Sequence, residues 1–241
     1  MHEKNCFITL TFNDDNLPKD LSLDHRVYQL FMKRLRKKYG NAIRFYMAGE
    51  YGETFGRPHY HACIFGMDFA DKVYHGKSPS GSLLYTSKIL EQLWPYGYST
   101  IGDVNFESAA YVARYIMKKI TGDDAKWHLS WTDLTTGEII KRKPEYNAMS
   151  RRKGIGHEFF EKYHTDIYAR DSVIVRDKQC KPPRYYDKEY AKLYPDEFES
   201  IQYSRILKSR EINPHERSDE RLAVKKQVTE AKLKLLKRTI A

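Results

Sequence analysis

Ile43-Arg-Phe-Tyr-Met-Ala-Gly-Glu50, Tyr51-Gly-Glu-Thr-Phe-Gly-Arg57 and Pro58-His-Tyr-His-Ala-Cys-Ile-Phe65 follow one another without interruption. The outer segments are rich in aromatic and apolar residues, and the middle one carries two glycines, so the stretch reads as two strands pairing back through a turn. Successive side chains on a strand point to opposite faces, so His59 and His61 leave the same face. The turn returns Glu50, at the end of the first strand, to a place beside His59.

Two imidazoles and a carboxylate arranged in this way can close on one cation. They would leave coordination positions open for water and a phosphate oxygen, as a catalytic divalent site requires. Magnesium and manganese both suit the set, and the histidines tilt it toward manganese. The same spacing also fits two half-buried strand histidines, with Glu50 a solvated strand-end carboxylate. Cys63 shares their face and reads as packing.

Upstream, Ile8, Leu10 and Phe12 alternate with Thr9 and Thr11, the period of a half-buried strand, which Asn13-Asp14-Asp15-Asn16 ends. From Ser22 the spacing becomes helical, with Val27, Leu30, Phe31 and Leu35 on one side, a basic run over 33–38, and Gly40 as the stop. Downstream, 67–82 reads as a glycine- and serine-rich loop. Thr86 to Trp94 reads as a short helix halted by Pro95, and Tyr98 to Ile101 as a strand. Trp127 to Arg142 suggests a hairpin turned at Thr135-Thr136-Gly137, Glu158 to Tyr168 a helix, and Val173 to Val175 a strand. From Pro214 onward a charged helix carries Leu222, Val228, Leu235 and Leu236 as a thin apolar side. Strands in hairpins interrupted by helices make the expected class α+β, a central antiparallel sheet flanked by helices, with a basic helical C-terminal extension. The expected organisation is one domain over 1–212 and the basic helix over 213–241.

Asn105 to Ile120 carries the clearest helical pattern. Phe106, Ala109, Ala110, Ala113, Ile116, Met117 and Ile120 fall on one face, expected to be the core side. Tyr111, Tyr115 and Lys118 fall on the other, flanked by Arg114 and Lys119, so both tyrosines are expected outside the core, one turn apart. A phenol has a pKa of about 10 and needs a nearby metal or cation to act as a nucleophile. The alternative is a helix with boundary tyrosines and solvated lysines.

The chain has 241 residues, with 42 Lys and Arg against 32 Asp and Glu, a formal charge of +10. Such a field attracts polyanions, nucleic acid first. The 19 tyrosines interleaved with cations suit base stacking on single strands. Cys6, Cys63 and Cys180 have no paired spacing, which argues against a disulfide framework or a zinc knuckle and fits a reducing cytoplasm. No apolar run approaches membrane-spanning length, so no membrane partner is expected. Arg151, Arg152 and Lys153 beside Gly154 form either a grip on phosphates or a solvated loop.

Three stretches together resemble the HUH endonucleases that initiate rolling-circle replication, above all the initiators of single-stranded DNA microviruses. They are Phe7-Ile-Thr-Leu-Thr-Phe12, Arg57-Pro-His-Tyr-His-Ala-Cys-Ile-Phe65 and Tyr111-Val-Ala-Arg-Tyr-Ile-Met-Lys118, in family order. The resemblance implies an HUH/RRM-like sheet, with Glu50, His59 and His61 holding Mg2+ or Mn2+. It implies Tyr111 and Tyr115 as nucleophiles and Lys118 as an aid at the scissile phosphate, with Arg57, Arg114, Lys119, Arg151, Arg152 and Lys153 along the DNA. The implied reaction nicks single-stranded origin DNA, leaves a 5′-phosphotyrosyl protein and a free 3′-hydroxyl, and later religates the strand. The implied setting is the cytoplasm of an infected bacterium. A host polymerase would extend the 3′-hydroxyl, and a host helicase would unwind, since no G-x-x-x-x-G-K-[ST] loop is present. Two other readings remain: a non-catalytic module binding single strands by stacking and charge, and a phosphoesterase using activated water.

Overall fold

The structure is a computed structural model and describes residues 2–52, 56–114, 129–132, 137–211 and 213–235. The chain divides into two compact units, His2–Ser150 and the part from Arg151 onward.

In the first unit the strands are β1 (Asn5–Phe12), β2 (Arg44–Tyr51), β3 (Pro58–Phe65), β4 (Val73–Lys77), β5 (Leu83–Thr86) and β6 (Gly97–Gly102), with the short pair β7 (Ser130–Thr132) and β8 (Ile139–Lys141), then β9 (Tyr146–Met149). Seven of them form an antiparallel sheet in the order β4-β5-β6-β1-β3-β2-β9, and β7 and β8 pair separately. The first strand therefore sits at the centre, between β6 and β3.

Alternation divides the sheet into two faces. Cys6, Ile8, Leu10 and Phe12 of β1 join Met47 of β2 and Tyr60, Ala62 and Ile64 of β3 in the main core. Above it lie α1 (His25–Tyr39) and α2 (Lys88–Leu93). Helix α1 contributes Tyr28, Phe31, Met32 and Leu35, and its N-terminus is capped by Asp24, whose carboxylate accepts from the Arg26 amide at 2.8 Å. The Tyr60 hydroxyl donates to the Asp24 carbonyl at 2.9 Å and accepts from the Asp24 amide at 3.1 Å, tying the start of the helix to the central strand. Gly40, at φ 99°, turns the chain out of the helix.

The opposite face is covered by α3 (Phe106–Arg114). Asn105 and Ser108 cap it reciprocally: the Ser108 amide donates to Asn105 Oδ1 at 2.8 Å, and the Asn105 amide to Ser108 Oγ at 2.9 Å. Its buried side differs from the expected one. Ser108, Tyr111 and Val112 are buried, whereas Phe106 is 51% exposed and Ala113 faces solvent. Tyr111 and Val112 pack with Phe7, Ala48 and Cys63. Two bulky side chains remove more apolar area from water than a row of alanines, and that difference decides the face.

Two further differences concern the sheet. The expected loop over 67–82 contains β4, an edge strand running against β5 with a shift in register between Tyr74 and Gly76. Strand β9, unanticipated in the sequence, extends the other edge by pairing Tyr146 with Gly49 and Met149 with Tyr46.

The second unit holds α4 (His157–Ala169), the hairpin β10 (Val173–Val175) and β11 (Lys178–Cys180), then α5 (Arg184–Leu193), α6 (Pro195–Arg210), a short 3-10 turn over Pro214–Arg217 and α7 (Asp219–Lys234). Phe160, Ile167, Tyr168 and Phe198 form its core. Arg205 clamps it, with ion pairs to Asp171 and to Asp187, the latter at 2.8 Å. Leu222 and Val228 on α7 are about half exposed, matching the thin apolar side expected there.

Candidate metal centre

Four residues of β2 and β3 set the site. Antiparallel register places Glu50 opposite His59 and Ala48 opposite His61, while β1 places Thr11 opposite His59 and Thr9 opposite His61. All of these side chains lie on the face covered by α3. Ala48 is small, and the Glu50 carboxylate reaches across to both imidazoles: Oε1 lies 2.9 Å from Nε2 of His59 and 2.7 Å from Nε2 of His61.

The donor set fits a divalent cation. The three ligand atoms all lie within 4.8 Å of one another. Oxygen and nitrogen ligands around a cation at about 2.1 Å stand roughly 3 to 3.5 Å apart, so a small outward relaxation of this cluster accommodates the ion. The Nδ1 atoms are already engaged, that of His59 with the Arg57 carbonyl at 3.0 Å and that of His61 with Thr9 Oγ1 at 3.0 Å. A carbonyl only accepts, so His59 carries its proton on Nδ1 and presents the Nε2 lone pair.

Burial makes the site electrostatically strong. Glu50 and His61 are 5% and 2% exposed. Burial raises the carboxyl pKa of Glu50, but the hydrogen bonds and charge of His59 and His61 outweigh it and hold the group well below the ordinary carboxylate range. The side chain of His59 is 16% exposed, which makes it the ligand nearest solvent. Phe7 stacks on the His61 ring at 5.7 Å, and Tyr111 meets that ring edge-on at 5.2 Å.

Tyr111 corrects the expectation that both tyrosines lie outside the core. It is 4% exposed, and its hydroxyl donates to Glu50 Oε1 at 3.1 Å. The helix thus delivers a phenol oxygen to the same carboxylate oxygen that faces both histidines. A buried carboxylate needs donors, and Tyr111 is one.

The remaining expected residues fall in several places. The Arg57 guanidinium donates to the Phe12 carbonyl at 2.9 Å and pairs with Asp14 at 2.5 Å, which pins the turn before His59. Tyr115, Lys118 and Lys119 lie outside the described residues, as does the side chain of Arg114. Arg151, Arg152 and Lys153 open the second unit. Lys153 pairs with Glu161 at 3.3 Å, and the loop is buttressed by Tyr185, whose hydroxyl accepts from the Gly154 amide at 2.9 Å. Cys63 is buried beside Tyr111, and burial pushes its thiol up to about 12, as packing requires. The residue missed from the sequence is Thr9. Its signal was present, since alternation puts it on the face opposite Ile8 and Leu10.

Residues 5–120 match the family of the replication-associated protein ORF2. The chain is 32% identical over 221 residues to the replication-associated protein VP4 of Bdellovibrio phage phiMH2K, covering 88% of this chain and 66% of that one. It is 33% identical over 206 residues to the replication-associated protein ORF2 of Spiroplasma virus 4, covering 80% and 60%. The replication-associated protein ORF4 of Chlamydia phage 1 is 28% identical over 217 residues, covering 86% and 51%. The chain thus spans less than two thirds of the length of these curated relatives. No solved structure matches it significantly. No helix among the described residues is long and apolar enough to cross a membrane.

Proposed function

This chain belongs to the phage replication-associated proteins of the ORF2 family, and on that premise we propose that it initiates rolling-circle replication by nicking single-stranded origin DNA with a tyrosine. The observation that carries the proposal is the hydrogen bond from the Tyr111 hydroxyl to Glu50 Oε1, at 3.1 Å, inside a cluster suited to a divalent ion. A phenol held at such a centre has the electrostatic help that a tyrosine nucleophile needs.

In this reading Glu50, His59 and His61 hold Mg2+ or Mn2+, which supplies positive charge to a phosphate oxygen. The Tyr111 oxygen attacks phosphorus in line and loses its proton. The bond from phosphorus to the 3′-oxygen breaks, and that oxygen takes up a proton. The products are a 5′-phosphotyrosyl protein and a free 3′-hydroxyl that a host polymerase can extend. Tyr115 serves as the second nucleophile, and Lys118 offsets charge at the scissile phosphate. Because the phosphotyrosyl ester conserves the energy of the broken bond, the 3′-hydroxyl can reverse the attack and close a circle. Arg57, Arg114, Lys119, Arg151, Arg152 and Lys153 are assigned to phosphates of the strand. The setting is the infected bacterial cell.

The test is labelled single-stranded origin DNA incubated with protein and Mn2+, then run on denaturing gels, for the wild type, Tyr111→Phe, Tyr115→Phe and the double variant. The expected result is a metal-dependent DNA–protein adduct that the double variant lacks. Cleavage without adduct, unchanged in the double variant, would replace the proposal with water-activated hydrolysis. Binding without cleavage on a verified origin would leave a single-strand-binding module.

A further inference from the structure

We infer that Thr9 is a positioning residue that holds His61 in the one ring orientation and tautomer able to bind a metal ion through Nε2. The inference rests on reading Glu50, His59 and His61 as a divalent-ion site. A neutral imidazole carries one N–H, and a metal takes the lone pair of the other nitrogen, so whatever accepts the N–H selects the ligating atom.

The two histidines meet this requirement differently. His59 Nδ1 lies 3.0 Å from the Arg57 carbonyl, an oxygen that can only accept, so the backbone itself fixes that ring. For His61 the partner is a side chain, Thr9 Oγ1, at 3.0 Å. Water is a poor substitute there, since His61 is only 2% exposed. The stacked Phe7 ring, inclined by 15°, and the edge-on Tyr111 ring, at 89°, fix the plane of the imidazole. A half-turn of the ring about its Cβ–Cγ bond preserves that plane but exchanges Nδ1 with carbon. Packing therefore leaves two orientations, and the Thr9 hydroxyl distinguishes them.

Strand geometry makes the placement firm. Thr9 is directly opposite His61 in the β1–β3 register, and a β-branched side chain on a strand has restricted χ1 freedom. Thr11 stands in the equivalent place opposite His59. Its hydroxyl makes no such bond, because Nδ1 of His59 is already engaged by the Arg57 carbonyl. Two threonines of one strand thus face two histidines of the next, and only one of them holds its imidazole.

The experiment measures Mn2+ affinity of the full chain by titration calorimetry for the wild type, Thr9→Val, Thr9→Ser and Thr11→Val. Thr9→Val is expected to weaken binding about 10- to 100-fold, the usual cost of losing the partner of a ligating histidine. Thr9→Ser and Thr11→Val are expected to bind as the wild type does. With Zn2+ as a diamagnetic probe, a slowly exchanging Nδ1–H resonance of His61 should be present in the wild type and in Thr9→Ser and missing in Thr9→Val. Should Thr9→Val fail to fold, Thr9→Ala removes the same hydroxyl and must give the same ranking. Wild-type affinity in the variants lacking the Thr9 hydroxyl, or an equal loss in Thr11→Val, would overturn the inference alone. Mn2+ binding indifferent to Glu50→Ala and His59→Ala would overturn the metal-site reading, and this inference with it.

Discussion

The hydroxyl of Tyr111 and the carboxylate of Glu50 meet at 3.1 Å on the covered face of the sheet, so the helix carrying the tyrosine is anchored at the candidate metal centre. The bond joins residues 61 positions apart in sequence and places a nucleophile-capable atom against a ligand-capable one. Because the Tyr111 ring also packs on Phe7 and His61, its apolar body and its polar tip have separable effects.

Tyr111→Phe keeps the ring and removes one hydrogen bond to a charged acceptor, a change of about 1.5–3 kcal/mol at most. Tyr111→Ala also leaves a cavity, and aromatic-to-alanine changes in cores cost about 3–5 kcal/mol. Urea unfolding should rank wild type, Phe and Ala in that order of stability. A Phe variant as unstable as the Ala variant would mean that the hydroxyl, rather than the ring, carries the anchoring.

Adding Mn2+ should raise the melting temperature of the wild type. A ligand bound only by the native state stabilises it by about 2.7 kcal/mol at one hundred times its dissociation constant. His61→Ala and Glu50→Ala should lose this shift, while Cys63→Ala, on the same face, should keep it. A shift that survives His61→Ala would move the ion to another location.

Asp187 gives the second unit a defined acid sensitivity. Burial raises its pKa, but hydrogen bonds from Arg205 and Tyr168 and the charge of Arg205 outweigh that, so the net shift is downward. A carboxyl depressed in the folded state contributes stability that is present above its unfolded pKa of about 3.9 and is lost as pH falls toward the folded value. Melting of the wild type should therefore drop steeply below about pH 4, and Asp187→Asn should start lower at pH 7 and fall less over that interval. Parallel curves for the two proteins would show that Asp187 does not set the acid response.

Gly97 opens β6 at φ 150°, where a Cβ would run into the backbone of Thr11, Phe12 and Asn13. Backbone cannot step aside as the end of a side chain can. Gly97→Ala should destabilise the first unit by about 1–3 kcal/mol, the range for overpacking, and chemical denaturation would show it. A neutral substitution would mean that the β1–β6 pair yields more easily than its register suggests.

Features that depend on local period and short connections were legible from the order of residues alone. Alternation identified β1, β2 and β3, and a short turn between β2 and β3 was enough to bring Glu50 to His59. Strand pleating alone put His59, His61 and Cys63 on one face, so the metal-capable cluster was visible before any packing was known. The rest came from tertiary packing, because it depends on surfaces brought together from distant parts of the chain. Strand β9 is short, and it is recognisable only beside the edge of β2 that it completes, about a hundred residues earlier. Helix α3 has apolar residues on more than one side. Which side is buried was settled by the hollow over Phe7, Ala48 and Cys63, which accepts Tyr111 and Val112, and by a buried carboxylate that needs a donor. Thr9 acquired its significance in the same way, when the register of β1 against β3 set its hydroxyl beside the Nδ1 of His61.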